Sequence, residues 1–311
     1  MTTAAVKRRH VFFLSGFDPK GASYYHGLYF KGAAQQGAVT GTRYEVGTRE
    51  RCENGNTTWR VRAQTGSQVT ETTFEYVRWD DIVRAQWPRT GWQVLLGSLR
   101  GYRAALASLS ALRKVWQASR RTLVALAYPA AFWLLSLVLG AGAGALAQVA
   151  TASIAPAFAA WVVGIAVAAS IWWGALAWEK RLSTTWLLRI YQFAGDWRDN
   201  RVPDLPQRLD NIARAIEQRL ADPQVDELLL VGFSVGSLLA ASAAARVHEA
   251  AARDGRGLER LTLLTLGHCI PLLGLMAGAD AFRAELAQLG QAPQLRWVDF
   301  SSVTDWGSFA L

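Results

Sequence analysis

Apolar and polar residues follow different patterns on the two sides of a long uncharged stretch in the middle of the chain. On the amino-terminal side the pattern favours strands, and at 57–63 and 72–77 it alternates as in strands with one buried face. Two further strands are predicted at 10–15 and 43–48, separated by a helix at 23–36 that carries several aromatic residues. The amino-terminal part is therefore expected to be mainly extended.

On the carboxyl-terminal side, helices and strands are predicted to alternate. Apolar residues recur every three or four positions from Leu205 to Leu220, which is typical of an amphipathic helix. The elements predicted after it are a strand at 227–231, a helix at 236–252, a strand at 261–266, a helix at 279–289 and a strand at 295–300. This order predicts an α/β fold in which parallel strands are joined by helices.

The central stretch, 122–178, contains no Asp, Glu, Lys, Arg or His. A bilayer core about 30 Å thick is crossed by about 20 helical residues, so the stretch is long enough for two spans. We expect these transmembrane helices at 122–147 and 153–178, with Gly140 and Gly144 allowing close helix packing. The alternative is a buried helical hairpin inside a large soluble core.

The charged residues indicate how the two predicted transmembrane helices are oriented in the bilayer. The chain has 33 Lys and Arg against 24 Asp and Glu, a formal charge of +9, but no long basic tract. The most suggestive basic residues flank the uncharged stretch and are Arg113, Lys114, Arg120, Arg121, Lys180 and Arg181. Basic flanks on both sides predict that both termini face the cytoplasm. They also favour a lipid bilayer over nucleic acid as the partner.

These patterns divide the chain into four parts. Residues 1–91 and 179–311 are predicted to form the two halves of one soluble domain, with the membrane hairpin at 122–178 between them. Residues 92–121 form an amphipathic, basic linker helix that lies on the membrane surface or packs against the soluble domain. The sequence makes no prediction of oligomeric state.

Two cysteines, Cys52 and Cys269, occur in the chain. They are too few for a secreted disulfide framework, and no His or Cys pair has the spacing of metal ligands. A phosphate-binding loop and a dinucleotide fingerprint are also absent from the sequence. We therefore expect neither a metal nor another cofactor.

One sequence motif indicates catalytic chemistry. It is Gly232-Phe233-Ser234-Val235-Gly236, which lies between a predicted strand and a helix rich in small residues. A Gly-x-Ser-x-Gly sequence in that position is typical of a nucleophile elbow. Such an elbow is a strained turn, and a side chain at either flanking position would collide with the neighbouring strand or helix. The alternative is a glycine-rich turn with an uninvolved serine.

With this motif the two soluble segments resemble the α/β-hydrolase superfamily, and more narrowly its lipase-like and esterase-like members. The resemblance implies a mostly parallel sheet with helices on both faces, interrupted here by the transmembrane hairpin. It also implies that Ser234 is the nucleophile and that the Val235 N–H binds the oxyanion. A second oxyanion donor is expected in the loop after the first strand, at the Phe17 N–H.

The same resemblance requires an acid and a histidine. We expect the acid to be Asp305, which follows the last predicted strand, with Asp299 as the second choice. The superfamily order is Ser, acid, His, but no histidine follows His268. We therefore expect a carboxyl-terminal strand and the loop with the base to be missing. His268 is the alternative base, unless it only lines the pocket or hydrogen-bonds the backbone.

Two functions are compatible with these features. The first is a membrane-anchored serine hydrolase that cleaves lipid or acyl esters through an acyl-enzyme on Ser234. A thioesterase or an acyltransferase would look the same in sequence. The second is a truncated or inactive relative that keeps the hydrolase fold as a binding or scaffold module, as the missing downstream histidine suggests.

Overall fold

The structure, a computed structural model, describes residues 6–87, 90–106, 113–114, 116–117, 120–182, 185–302 and 304–309. The chain divides into two compact units. The first comprises Met1–Trp87 and Phe193–Leu311, and the second comprises Pro88–Gln192. The second unit is therefore inserted in sequence between the two parts of the first, and it includes the segments on either side of the uncharged stretch.

The first unit contains one mixed, mostly parallel sheet of eight strands. The strands are β1 (Arg8–Leu14), β2 (Arg43–Val46), β3 (Glu50–Arg51), β4 (Thr57–Thr65), β5 (Gln68–Tyr76), β6 (Glu227–Phe233), β7 (Leu261–Leu266) and β8 (Arg296–Phe300). Their order is β2-β4-β5-β1-β6-β7-β8, and β3 pairs with β4. Strands β5, β1, β6, β7 and β8 are parallel, whereas β4 is antiparallel to β5, β2 and β3.

Ten helices lie within the described residues. They are α1 (Ala22–Thr40), α2 (Asp80–Gln86), α3 (Gly91–Leu106), α4 (Arg120–Ala152), α5 (Ala157–Leu182), α6 (Trp186–Arg198), α7 (Leu205–Ala221), α8 (Gly236–Asp254), α9 (Ile270–Gly274) and α10 (Asp280–Gly290). The predicted α/β class, with parallel strands joined by helices, is confirmed. The helix predicted at 92–121 is seen in part as α3, and residues 107–112, 115 and 118–119 lie outside the described residues.

Both faces of the sheet carry apolar packing, because side chains alternate along each strand. On one face, Val11, Phe74 and Val231 form an apolar cluster with Tyr25 of α1. On the other face, β6 packs against α8, whose small residues allow a close approach. The apolar run at 228–231 therefore serves two layers at once, which explains its lack of alternation.

The structure also contains elements that the sequence pattern did not predict. Strand β5 begins at Gln68, four residues before the predicted start, because it continues the hairpin with β4 around Gly66 at φ +58°. Helices α2, α6 and α9 and the two-residue strand β3 were not predicted. Helices α2 and α9 and strand β3 are too short to show a hydrophobic period, so tertiary contacts determine their conformation.

A buried hydrogen bond joins two neighbouring parallel strands. His10 Nε2 of β1 lies 3.0 Å from Glu75 Oε2 of β5, and the side chains are 4% and 6% exposed. The Asn56 amide donates to Glu75 Oε1 at 2.6 Å. Burial raises the pKa of Glu75, but the hydrogen bonds from His10 and Asn56 outweigh it, so the pKa is lowered overall. Glu75 is therefore held as a carboxylate.

In the second unit, α4 and α5 pack closely against each other. A Cβ atom on Gly144 would lie 2.7 Å from Gly164 O and 3.0 Å from Ala168 Cβ, so the backbones meet where only glycine fits. The segments Leu123–Ala152 and Ala157–Glu179 are long and apolar enough to cross a membrane. Helix α4 continues through the predicted link at 148–152, and the turn between the helices lies at 153–156.

Candidate active site

Ser234 occupies a strained turn between β6 and α8. Its φ is +54°, and within the described residues only Asn200 is a second non-glycine residue with positive φ. Asparagine tolerates this left-handed conformation, whereas other side chains lose about 1–2 kcal/mol in it. The Ser234 side chain is partly exposed, although Val235 beside it is buried. The turn thus presents one hydroxyl at the carboxyl edge of the sheet.

The two glycines of the motif fit where no other residue would. A Cβ atom on Gly236 would lie 2.2 Å from Leu14 O and 2.5 Å from Ser15 O. One on Gly232 would lie 2.5 Å from Ser237 Cα and 2.8 Å from Ala240 Cβ. Both contacts involve backbone or the first side-chain carbon, which cannot move aside. The close approach of β1, β6 and α8 at this turn therefore depends on the two glycines.

Two backbone amides on the segments that adjoin Ser234 are candidate oxyanion donors. Neither the Val235 N–H nor the Phe17 N–H donates a hydrogen bond to another described residue. Gly16 directly precedes Phe17 in the loop after β1. A Cβ atom on Gly16 would lie 3.3 Å from Ser234 Cβ, so this loop packs against the serine. Two amides that are not used by secondary structure therefore lie on the segments that border Ser234.

The loop after β1 is fixed by a network of hydrogen bonds. Asp18 accepts from the Tyr25 hydroxyl at 2.5 Å and from the Lys20 N–H at 2.8 Å. Burial, with the hydrogen bond to Asp18, raises the pKa of Tyr25, so the phenol stays protonated as a donor. The Trp79 indole N–H donates to Ser15 O at 3.1 Å. The loop is therefore preorganised, as an oxyanion-binding loop would need to be.

Within the described residues, a cysteine rather than a histidine is in polar contact with the Ser234 hydroxyl. Cys269 Sγ lies 3.6 Å from Ser234 Oγ and 3.4 Å from Gly307 O. Burial raises the pKa of Cys269 to about 11, so it is a neutral thiol near pH 7. Cys269 could not be assigned to this site from sequence. Its contact with Ser234 depends on the pairing of β6 with β7, which the sequence pattern does not specify.

His268 is fully buried, and its imidazole lies beside Asp299 rather than in contact with Ser234. Neither ring nitrogen has a hydrogen-bond partner among the described residues, and Nε2 is 4.0 Å from Asp299 Oδ1. Burial lowers the pKa of His268 more than the charge of Asp299 raises it. Asp299 in turn accepts from the Thr265 and Ser301 hydroxyls at 2.6 and 2.7 Å. The imidazole is therefore neutral and able to accept a proton.

Asp305 lies against Gly267, the residue that precedes His268. It is exposed, accepts the Gly307 N–H at 2.9 Å, and lies 3.0 Å from the position of a Cβ on Gly267. Within the described chain it forms no ion pair with His268. The structure thus brings Ser234, Val235, the Gly16-Phe17 loop and Cys269 together, with Asp305 against the adjoining turn. The buried His268 imidazole and the partly buried Asp299 carboxylate lie next to each other, without a hydrogen bond between them.

An apolar row borders the serine along the carboxyl edge of the sheet. Strand register aligns Phe233 with Leu266, and Leu266 with Phe300. Phe233 is 40% exposed and Phe300 is 62% exposed, which is unusual for phenylalanines.

In the parts of the chain that the structure describes, no group of three or more His, Cys, Asp or Glu could hold a metal ion.

Comparisons with known proteins found no match to this chain, whether with protein-family models, curated proteins or solved structures. The functional interpretation therefore depends on the geometry around Ser234.

Proposed function

We propose that this protein is a membrane-anchored serine hydrolase that cleaves lipid or acyl esters through an acyl-enzyme on Ser234. The observation that carries the proposal is the φ of +54° at Ser234, between two glycines that no larger residue could replace. Backbone strain at a non-glycine residue persists only where the surrounding structure enforces it, and it is concentrated at functional sites. This geometry, together with the resemblance to α/β-hydrolases, favours a nucleophile.

The proposed reaction has two steps. Ser234 Oγ attacks the ester carbonyl carbon and its proton passes to a base, while the Val235 and Phe17 N–H groups bind the oxyanion. The C–O bond then breaks, and the alcohol leaves with that proton. Water hydrolyses the acyl-enzyme by the same path in reverse order. No redox partner is required.

We assign the base to His268, with Asp299 as the carboxylate that stabilises its protonated form. The neutral imidazole lies 4.0 Å from a carboxylate oxygen that would stabilise its protonated form, which supports this role. General base catalysis needs a distance of about 3 Å to the serine oxygen, so the imidazole has to approach Ser234 when substrate binds. Asp305, the first choice from sequence, is assigned to the rim of the site because it is exposed and unpaired with His268.

The substrate class is proposed from the apolar surroundings. Phe233 and Phe300 expose aromatic surface beside the serine, which suits an acyl chain. Helices α4 and α5 also expose large apolar side chains, including Leu146 at 74% and Phe158 at 81%. A core hairpin would bury such side chains, so we propose that both helices span the bilayer and that both termini face the cytoplasm, as the basic flanks predict.

Labelling with a fluorophosphonate probe in isolated membranes tests the proposed chemistry. Wild type should be labelled, and Ser234→Ala should lose the label completely. Cys269→Ala is the matched control, because it removes the neighbouring group without removing the nucleophile and should keep the label. Equal labelling of wild type and Ser234→Ala would refute the proposal. His268→Gln should slow labelling at least about tenfold, since general base catalysis contributes about 10²–10⁴-fold.

A second candidate function is a non-catalytic module that retains the same turn. It is favoured by one observation: neither nitrogen of His268 has a hydrogen-bond partner among the described residues, so the imidazole does not contact the serine. In that case Ser234 would not react with the probe, and Ser234→Ala would leave the protein's cellular role unchanged. The labelling experiment therefore separates the two candidates.

A further inference from the structure

A second candidate site is a cleft of about 520 Å³ at the end of the sheet opposite Ser234. The start of β1, parts of β4 and β5, Arg219 near the end of α7, and the segment after α7 up to Val225 line it. Strand β1 runs parallel to β6 from the pair Arg9–Glu227 to the pair Leu14–Gly232. At about 3.3 Å per residue, the cleft lies about 20 Å from Ser234 along the sheet. It is therefore separate from the candidate active site.

Strand alternation places a group of arginines on one wall of this cleft. Trp59 and Val61 of β4 belong to the apolar cluster that contacts α1, so Arg60 and Arg62 lie on the opposite face. Strand register creates two adjacent rows across β4, β5 and β1, which are Arg62–Glu71–Arg8 and Arg60–Thr73–His10. Arg219, near the end of α7, lines the cleft from the other wall.

Positive charge in the cleft exceeds negative charge. Five arginines line it, but only two carboxylates, Glu71 and Asp222. Arg9 is paired with Glu227 at 2.5 Å, and the Arg8 guanidinium donates to Gln224 at 2.8 Å. The remaining three are Arg60, Arg62 and Arg219, and their guanidinium groups have no ion pair or side-chain hydrogen bond within the described part of the chain.

We propose that this cleft binds a small ligand that carries a phosphate group. Guanidinium groups bind phosphate oxygens through paired hydrogen bonds and keep their charge at all physiological pH values. The Thr73 hydroxyl lies in the same row as Arg60 and adds a neutral donor. The cavity volume is typical of sites for small molecules, which range over about 300–1,000 Å³.

The shape of the basic region argues against nucleic acid. A duplex is bound by an extended basic stripe, whereas here the arginines line a single cleft of about 520 Å³. The phosphate itself can belong to a soluble compound or to the headgroup of an anionic phospholipid. The cleft recognises the chemistry that both share, and this inference does not depend on a reaction at Ser234.

Binding to the purified full-length protein in uncharged detergent micelles tests the proposal. Inorganic pyrophosphate represents the soluble source, and short-chain phosphatidic acid represents the lipid source. We expect at least one of them to bind with a Kd below 1 mM, and its affinity to fall as salt rises. Binding of pyrophosphate alone identifies a soluble ligand, and binding of phosphatidic acid alone identifies a lipid headgroup. Either result, or both, supports the proposal.

Variants connect this binding to the cleft. The double variant Arg60→Gln/Arg62→Gln and the single variant Arg219→Gln, on the opposite wall, should each weaken binding at least tenfold. Arg296→Gln is the matched control, because Arg296 is an exposed arginine at the amino end of β8, away from the cleft. Unchanged melting temperatures will show that the variants are folded.

Three results would overturn the inference: no binding of either probe, binding that the cleft variants do not weaken, or a DNA or RNA duplex that binds more tightly than both probes through the same arginines.

Discussion

The close packing of Gly236 against the end of β1 can be tested with a graded set of glycine-to-alanine substitutions. In Gly236→Ala, the new Cβ would lie 2.2 Å from Leu14 O and 2.5 Å from Ser15 O, whereas ordinary contacts begin near 3.4 Å. The backbone of β1 would have to retreat by about 1 Å, and overpacking of this kind costs about 1–3 kcal/mol, occasionally more. In Gly16→Ala the contact, 3.3 Å to Ser234 Cβ, needs only a small adjustment.

Gly32→Ala is the control, because Gly32 lies within α1 and a Cβ there would meet nothing within 4 Å. Alanine inside a helix is more favourable than glycine by about 0.5–1 kcal/mol, so this variant should be slightly stabilised. For a unit of this size, 1 kcal/mol shifts the melting temperature by about 2–4 °C. We expect Gly236→Ala to melt about 4–10 °C below wild type, and Gly32→Ala to melt about 1–3 °C above it.

Thermal unfolding followed by tryptophan fluorescence in detergent micelles measures these shifts, and fluorophosphonate labelling measures the effect on the turn. Gly16→Ala should fall between the other two variants in melting temperature. If Gly236→Ala melts within 1 °C of wild type and labels normally, the tight contact between the elbow and β1 does not exist in solution. If Gly32→Ala is destabilised as much as Gly236→Ala, the loss does not come from packing at the turn.

Four further predictions address other parts of the molecule. Ser234→Gly relieves the left-handed strain and should be about 1 kcal/mol more stable to urea than Ser234→Ala, while both lose labelling; equal stability would contradict the strain. Gly144→Leu should lower the melting temperature of the solubilised protein and Gly142→Leu should not, because a Cβ meets Gly164 O at 2.7 Å from Gly144 but open space from Gly142. The pKa of Glu75 is lowered in the folded protein, so the ionised carboxylate stabilises the fold above about pH 4.5, and this contribution disappears as pH falls through that lowered pKa. The free energy of urea unfolding between pH 3 and 6 should therefore depend less on pH in Glu75→Gln than in wild type. Equal pH dependence in the two proteins would contradict this contribution. Because its pKa is raised to about 11, Cys269 should resist iodoacetamide at pH 8 until the protein unfolds, and rapid modification would reveal an exposed thiolate.

The parts of the fold that depend on local pattern could be predicted from sequence. The elbow at Ser234 is local, because five consecutive residues, the strand before them and the helix after them define it. The two apolar helices were also predictable, since their length and lack of charge are read directly from the chain. The parallel pairing of β6, β7 and β8 also followed from the alternation of strands and helices after residue 205, whereas the order of strands in the sheet was not predicted.

The contacts of the site depend on strand register, which the sequence does not specify. Cys269 reaches Ser234 because β6 and β7 align Phe233 with Leu266. The backbone turns at Gly267, where φ is +52°, and His268 is then buried beside Asp299. A change of one residue in register would reverse which side chain faces the serine. The same reasoning applies to Arg60 and Arg62, which are more than fifty positions from Arg8 in sequence. Only the pairing of β4 with β5 and of β5 with β1 places them on the same part of the sheet as Arg8.

As a nucleophile, the Ser234 oxygen would form a covalent acyl intermediate. Brief incubation of the wild-type protein with p-nitrophenyl octanoate, acid quenching and peptide mass spectrometry would detect it directly. We expect an octanoyl group on the peptide that contains Ser234, formed together with a burst of p-nitrophenolate. An octanoyl group found only on Cys269, or no acylated peptide at all, would contradict it.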